Sequence, residues 1–393
     1  MTYQEMQKLV SGPGQAHDMK ALVELIPALA LLEATPQDPT YHGEGNVLVH
    51  TDLVVGAMVN GQDYRSASEN ERFVLFYAAL LHDIAKPSTT VIDPVTGKIG
   101  QPGHSRRGAI DARILLWRAG VPFELREEIC RIITVHQLPF FALNGDKRSG
   151  KPAEFLIHKL SCEQQLWMLC AMAVADMEGR VYHDKQNVLA DIELFRLLAE
   201  EEGCLRSAKQ FPDAYTKLCY LRGASIAPDY PFFRERTGSQ VTVMCGMPAS
   251  GKNHWVSHNR PGLPVVSIDD ARDKLGLRYG KNNGAAAHYA YDKARELLRR
   301  QEPFVWNTTL LSSQMRAQTL DFLHDYHADV QLVYLEQPEK VIYQRNNKRD
   351  TSLKNEGIRD MLFKWEVPLP TEAASVEYRI NETSRKPICD PEP

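Results

Sequence analysis

The sequence predicts a multidomain chain, an all-α domain followed by an α/β domain built on a parallel sheet. Three observations predict it. Up to about residue 222, apolar residues recur at helical spacing in one segment after another. Beyond about residue 238, short β-branched runs alternate with helical stretches, the pattern of a parallel sheet carrying helices on its faces. Between them, RGASIAPDYPFFRERTG is dense in Pro, Gly and charge and reads as a connector. The expected division is 1–222, a linker at 223–238, and 239–393.

Within the first domain, MKALVELIPALALLE, NVLVHTDLVVGAMV, RFVLFYAALLHDIAK, EEICRIITVHQL and VLADIELFRLLAEEE each repeat apolar positions at helical spacing. PSTTVIDPVTGKIGQPGHS breaks the pattern, its Pro, Gly and β-branched residues suiting a hairpin-like loop. In the second domain QVTVMC, PVV, PFVWN and ADVQLVYLE read as strands, with AAAHYAYDKARELLRR and SSQMRAQTLDFLHDY as intervening helices. No internal repeat is visible.

Composition excludes several classes. Of 393 residues 24% are charged and 43% hydrophobic, ordinary for a globular chain, and no tract is biased enough for disorder. No apolar run approaches the length of a membrane span, so no membrane partner is expected. The opening MTYQEMQKLVSGPGQ lacks the apolar core of a secretion signal. Seven scattered cysteines without a CxxC argue against a disulfide framework or a zinc ribbon, and the expected compartment is the cytoplasm. The net charge of −4 divides into −6 up to Tyr230 and +2 from Pro231 onward. A polyanion would therefore meet local positive clusters and not a uniformly basic surface.

The first domain carries an unusual set of polar residues inside apolar helices. His50 sits within NVLVHTDLVV, His82 and Asp83 end VLFYAALLHD, and Asp176 lies in LCAMAVADMEG. A carboxylate among apolar residues must be paired or metal-bound, because bare burial is costly. Any one of these histidines alone reads as a hydrogen-bonded core residue. Together with His104 and His136 they supply N and O ligands for a divalent metal. The series His50, LLHDIAKP, GHSRRGA, VHQLP and ADMEGR, from about residue 40 to 182, resembles the HD phosphohydrolase superfamily. The resemblance implies that His50, His82, Asp83 and Asp176 bind one metal and that His104 and His136 complete a second site with Asp83 bridging. A His/Asp set of this kind suits Mn, Fe, Co, Ni or Zn. Such a metal makes hydroxide available near neutral pH for attack on a phosphoester. Lys86, three residues after Asp83 on a continuing helix, and Arg180, four after Asp176, are expected to neutralise phosphate charge. Arg106 and Arg107 are weaker substrate contacts, and His42 is structural or supports a ligand.

In the second domain QVTVMCGMPASGKN gives GxxxxGK directly after a strand. Gly246, Pro248, Ala249, Ser250, Gly251 and Lys252 form the loop, whose backbone N–H groups, helix N-terminus and lysine suit the β- and γ-phosphates of a nucleotide. Asn253 stands where Ser or Thr ordinarily holds Mg²⁺. The run PVVSIDDARDKLG then places Asp269, Asp270 and Arg272 at the C-terminal edge of the sheet. Asp-Asp-x-Arg there resembles the 5′-OH polynucleotide kinase family, which implies that Asp269 takes the acceptor proton and Arg272 holds the phosphate beside it. The competing reading is a helix-capping carboxylate with a surface arginine. Tyr343–Arg349 resembles the lid helix of relatives, with Arg345 and Arg349 facing the donor phosphates and Arg349 the better candidate for transition-state charge. Asn307-Thr308-Thr309 corresponds to an Asp-Thr-Asn segment in that family but departs at two positions, and the resemblance implies at most a place near the substrate or Mg²⁺.

Together the two halves resemble HD-Pnk, the bacterial end-healing enzymes that join an HD phosphohydrolase to a polynucleotide kinase. The resemblance implies ATP or another NTP as donor, Mg²⁺ in the kinase site and a divalent transition metal in the HD site. Substrates would be RNA or DNA ends bearing 5′-OH, 3′-phosphate or 2′,3′-cyclic phosphate, with a nucleic-acid ligase acting downstream. Two alternatives stand beside it: a nucleotide phosphohydrolase fused to a nucleoside or sugar kinase, and a nucleotide-sensing regulator without turnover.

Overall fold

A computed structural model of the chain describes residues 1–144, 150–234, 236–277, 282–349 and 353–385. The chain divides into two compact units between Lys209 and Gln210. The helix Ala214–Leu221 and the Pro-rich stretch after it thus belong to the second unit, upstream of the division that composition indicates.

The first unit is helical. Its principal helices are α1 (Val47–Asn60), α2 (Glu69–Leu81), α3 (His104–Arg118), α4 (Phe123–Val135), α5 (Leu166–Glu178) and α6 (Lys185–Glu201). Ser68 starts α2 through a capping box with Glu71, and every residue from Phe73 to Leu81 is buried. A helix apolar on all sides must lie at the centre of its core, where each large side chain contributes roughly 2 kcal/mol. Asn46 caps α1, whose buried positions Val47, His50, Thr51, Val54, Val55 and Met58 follow the helical repeat. His50 therefore points inward with its apolar neighbours. The stretch MKALVELIPALALLE breaks at Pro27 into a helix, Met19–Leu25, and a 3₁₀ turn, Pro27–Leu32. Val91–Ile92 pairs antiparallel with Ile99–Gly100 as the hairpin.

Helices α1 and α5 touch through Gly179, just past the end of α5. A Cβ there would stand 2.5 Å from Val54 Cγ2 and 3.0 Å from the Val54 backbone nitrogen. Gly179 has helical dihedrals that suit any residue, so space alone requires glycine. Gly179→Ala is expected to cost about 1–3 kcal/mol by overpacking, read as a lower midpoint in thermal or urea unfolding. An unchanged midpoint would show that the two helices are not locked at this distance.

The second unit holds a six-stranded sheet. Its elements are β1 (Gln240–Cys245), α7 (Lys252–Asn259), β2 (Val265–Val266), α8 (Ile268–Lys274), α9 (Asn283–Arg299), β3 (Phe304–Asn307), α10 (Ser313–Asp325), β4 (Asp329–Glu336), α11 (Glu339–Asn347), α12 (Asn355–Leu362), β5 (Ser375–Ile380) and β6 (Thr383–Arg385). The spatial order is β2-β3-β1-β4-β5-β6, parallel except for the β5–β6 pair. β1 is thus an inner strand, buried from Val241 to Cys245. The buried Arg316 of α10 is satisfied by Glu372, at 2.6 and 2.9 Å, and by the carbonyl of Glu366 at 2.7 Å. These bonds tie the segment before β5 to α10.

Among the described residues no helix is long and apolar enough to cross a membrane. Six cysteines are free; Cys389 lies outside the described residues.

Candidate functional site

The helical unit gathers the six expected ligands from five stretches of chain. His50 comes from α1, His82 and Asp83 from the end of α2, His104 from the first turn of α3, His136 from the end of α4 and Asp176 from α5. Ligand atoms of His50, His82 and Asp83 lie within 4.8 Å of one another, as do those of His82, His136 and Asp176, and those of Asp83, His104 and His136. His50 Nε2 stands 3.2 Å from Asp176 Oδ1 and 3.8 Å from Asp83 Oδ2. Asp83 turns its two oxygens in different directions: Oδ2 is 3.1 Å from His82 Nε2, and Oδ1 is 3.6 Å from His104 Nε2.

The outer edges of the rings are fixed by the backbone. Nδ1 of His82, His104 and His136 lies 2.8 Å from the carbonyl oxygens of Ala79, Gln101 and Ile133 respectively. Each carbonyl can only accept, so Nδ1 carries the proton and Nε2 presents its lone pair inward. His136 Nε2 and Asp83 Oδ1 are buried without hydrogen-bond partners. Such atoms are costly unless they are turned toward a ligand. Burial drives His136 down to about 3, which keeps it in the neutral, metal-binding form. Burial opposes ionisation of Asp83 and Asp176. Even so, His82 and Lys86 hold Asp83 well below the usual carboxylate range, and Arg180 and His50 do the same for Asp176. The donor set of buried imidazoles and ionised carboxylates fits a divalent transition metal.

Lys86 and Arg180 are both committed to the carboxylates of this cluster. Lys86 Nζ lies 2.8 Å from Asp83 Oδ2 and donates to Gln37 Oε1 at 2.6 Å. The contact does not arise on a continuing helix: α2 stops at Leu81, the chain turns, and a short helix begins at Lys86. Arg180 grips Asp176 with two bonds of 2.9 Å. Arg107 pairs with Asp111 on α3.

Sequence reasoning missed Glu44. Its buried Oε1 is 2.8 Å from His42 Nδ1 and 2.9 Å from His50 Nδ1, while Oε2 accepts from the Val181 N–H at 2.8 Å. His42 thereby supports the carboxylate that stands behind His50. Burial lowers His42 to about 4. No periodic pattern marks YHGEGN; the one available signal was an acidic residue among small ones just before the helix that carries His50.

In the second unit the phosphate loop follows β1. Gly246 has φ +138° and Gly251 φ +104°, and a Cβ on Gly246 would lie 2.3 Å from the Leu335 carbonyl oxygen. Ala249 also adopts positive φ, and the buried Ser250 hydroxyl has no partner. Lys252 Nζ donates to the carbonyls of Gly246 and Met247, both at 2.8 Å, and spans the loop. Burial lowers Lys252 to about 8, with Asp269 acting to hold its charge and Arg349 acting against it.

Ser267 caps α8, accepting from the N–H groups of Asp269 and Asp270 at 3.1 and 3.3 Å. Because Ser267 takes the capping role, the Asp269 carboxylate meets Arg272 instead, at 2.5 Å. Arg345 reaches Gly251, where its Nη1 would lie 3.4 Å from an added Cβ, and pairs with Glu382 at 2.6 Å. Arg349 is exposed just past the end of α11. Asn253 Oδ1 accepts from Asn307 Nδ2 at 2.8 Å.

Residues 241–368 match the AAA domain family. Three proteins similar to parts of the chain are each named multifunctional CCA protein. That of Cupriavidus metallidurans is 35% identical over 194 residues, 46% of this chain and 40% of the relative. That of Laribacter hongkongensis is 30% identical over 223 residues, 53% and 51%. That of Ralstonia nicotianae is 27% identical over 190 residues, 46% and 39%. The chain spans about half or less of the length of these relatives. A solved candidate kinase from Chloroflexus aurantiacus J-10-fl aligns with 36% of this chain and 88% of its own, at TM-score 0.30 and 13% identity. The AAA domain match, the parallel sheet and the loop after β1 make the second unit a P-loop domain of the kind that uses a nucleotide with Mg²⁺.

Proposed function

We propose that the chain heals nucleic-acid ends, phosphorylating 5′-OH termini in its P-loop unit and removing 3′-phosphate or 2′,3′-cyclic phosphate in its helical unit. The observation that carries the polynucleotide reading is the position of Asp269. Its carboxylate is bonded to Arg272, acts on the charge of Lys252, and yet is 74% exposed. A hydroxyl at the end of a long polymer can reach such a base, whereas a kinase of a small metabolite ordinarily encloses its acceptor.

In the kinase unit the loop amides and Lys252 hold the β- and γ-phosphates of ATP or another NTP. Mg²⁺, when bound with the nucleotide, offsets phosphate charge. Asp269 accepts the proton of the 5′-OH as its oxygen bonds to the γ-phosphorus and the bond to the β-phosphate oxygen breaks. Arg272 holds the phosphate next to that hydroxyl, and Arg345 and Arg349 face the charge that develops on the transferred group.

In the helical unit His50, His82, Asp83, His104, His136 and Asp176 would hold the metal, which supplies Lewis acidity for phosphoester hydrolysis. Lys86 and Arg180 keep the ligand carboxylates ionised and aimed. From there their remaining N–H donors can meet an incoming phosphate. Glu44 keeps His50 oriented from behind.

One oligonucleotide carrying a 5′-OH and a 3′-phosphate tests the reading, incubated with ATP, Mg²⁺ and Mn²⁺ or Ni²⁺ and analysed by mass spectrometry. Gain of phosphate at the 5′ end with loss at the 3′ end is expected. No change at either end, in protein shown to bind nucleotide and metal, would move the assignment to small-molecule substrates or a nucleotide sensor.

A further inference from the structure

After the phosphate-loop lysine, a hydroxyl ordinarily takes one coordination place of the Mg²⁺ that accompanies the nucleotide. Here the residue is Asn253, and its partner Asn307 closes the neighbouring strand. β3 pairs directly with β1, Asn307 standing opposite Met244, so Asn307 lies at a carboxyl-terminal strand end where α/β sheets receive ligands, and Asn253, in the first turn of α7, meets it there. Their mutual bond of 2.8 Å leaves a second lone pair on Asn253 Oδ1 and the full carbonyl capacity of Asn307.

Neither side chain carries a charge. Mg²⁺ gives up water reluctantly and is usually held by one or two carboxylates together with substrate phosphates. Two amide dipoles beside the cationic Lys252 offer a free divalent ion little. The same dipoles are well suited to an ion already neutralised by phosphate oxygens.

We propose that Asn253 and Asn307 form a carboxylate-free cation seat, which takes its divalent ion only as a nucleotide complex and holds none in the nucleotide-free protein. The proposal rests on the P-loop reading of this unit. In this arrangement the formal negative charge at the seat comes from the nucleotide, so metal occupancy follows nucleotide occupancy. Asn307→Asp supplies the missing charge and uncouples the two.

The test is a Mn²⁺ titration of the full chain followed by electron paramagnetic resonance, with and without ADP, alongside Mg²⁺-dependent binding of a fluorescent ADP. The helical unit binds metal as well, so native and variant proteins are compared directly. Asn307→Asp is expected to bind one Mn²⁺ more than native protein without nucleotide. It should also lower the Mg²⁺ needed for half-maximal ADP binding about tenfold. Asn307→Ala, which adds no charge and tests the seat should the aspartate variant fold poorly, is expected to raise that Mg²⁺ requirement and leave the nucleotide-free Mn²⁺ count unaltered. Equal Mn²⁺ counts in native and folded Asn307→Asp protein would overturn the seat, as would loss of a nucleotide-free Mn²⁺ in Asn307→Ala. Should folded native protein bind no ADP at all, the P-loop reading falls and the seat with it. Normal ADP binding with unmoved metal dependence overturns the seat alone.

Discussion

Replacing Asp83 by alanine is expected to abolish phosphate removal at the 3′ end, while the same preparation still phosphorylates the 5′ end. Asp83 is the residue on which the helical site converges: His50, His82, His104 and Lys86 all approach its carboxylate within 3.8 Å. Losing a partner one step removed from a metal typically costs ten- to a hundredfold, so losing this carboxylate should cost at least about a hundredfold. The variant also leaves the buried Lys86 amine without its carboxylate, held by Gln37, and breaking a buried pair destabilises by about 3–5 kcal/mol. Asp83→Asn, which keeps the volume, separates loss of charge from loss of packing. Bound metal per chain, followed with activity at both ends, gives the answer. Full 3′ activity in a variant that has lost its metal would remove the helical cluster from the reaction.

Asp269→Ala is the mirror experiment. Phosphorylation of a 5′-OH oligonucleotide should fall by about 10²–10⁴-fold, the usual contribution of a positioned base, while nucleotide binding and 3′ phosphate removal persist. Stability should move by less than about 0.5 kcal/mol, because the side chain is mostly exposed and its ion pair with Arg272 is solvent-screened. Radiolabel transfer and a thermal melt on the same sample read both. A folded variant that loses both end reactions equally would argue against two independent sites.

Much of this was legible in the sequence because the informative residues violate their local pattern. His50 and Asp176 are polar positions on buried helical stripes, and GxxxxGK follows a strand; each departure has a physical cost that only a ligand or partner explains. What the sequence hid were contacts made across the chain by residues ordinary in their own neighbourhood. Glu44 sits in a short polar loop and acquires meaning only where it meets His50 and Val181. Asn253 and Asn307 lie on different elements, and no spacing rule connects them. The lysine contact of Asp83 follows from a turn, although periodicity implies an unbroken helix. β5 escaped notice because SVEYRI interleaves charge with its apolar positions and is only partly buried. The helix Ala214–Leu221 looks like the end of the first unit by periodicity, yet it belongs to the second by packing.

The inner position of β1 bears on how the second unit is made. Both of its neighbours, β3 and β4, lie downstream in the chain, and β4 in turn pairs with the still later β5. Parallel pairings of this kind require large loops to close before their hydrogen bonds repay the lost entropy, and they fold slowly. As the chain leaves the ribosome, the phosphate loop therefore waits for the synthesis of β3 and β4. The helical unit, by contrast, has all the segments of its cluster from His50 to Asp176 already translated. In the order of biogenesis, the histidine–aspartate cluster can assemble first, and nucleotide binding is the later capacity to mature.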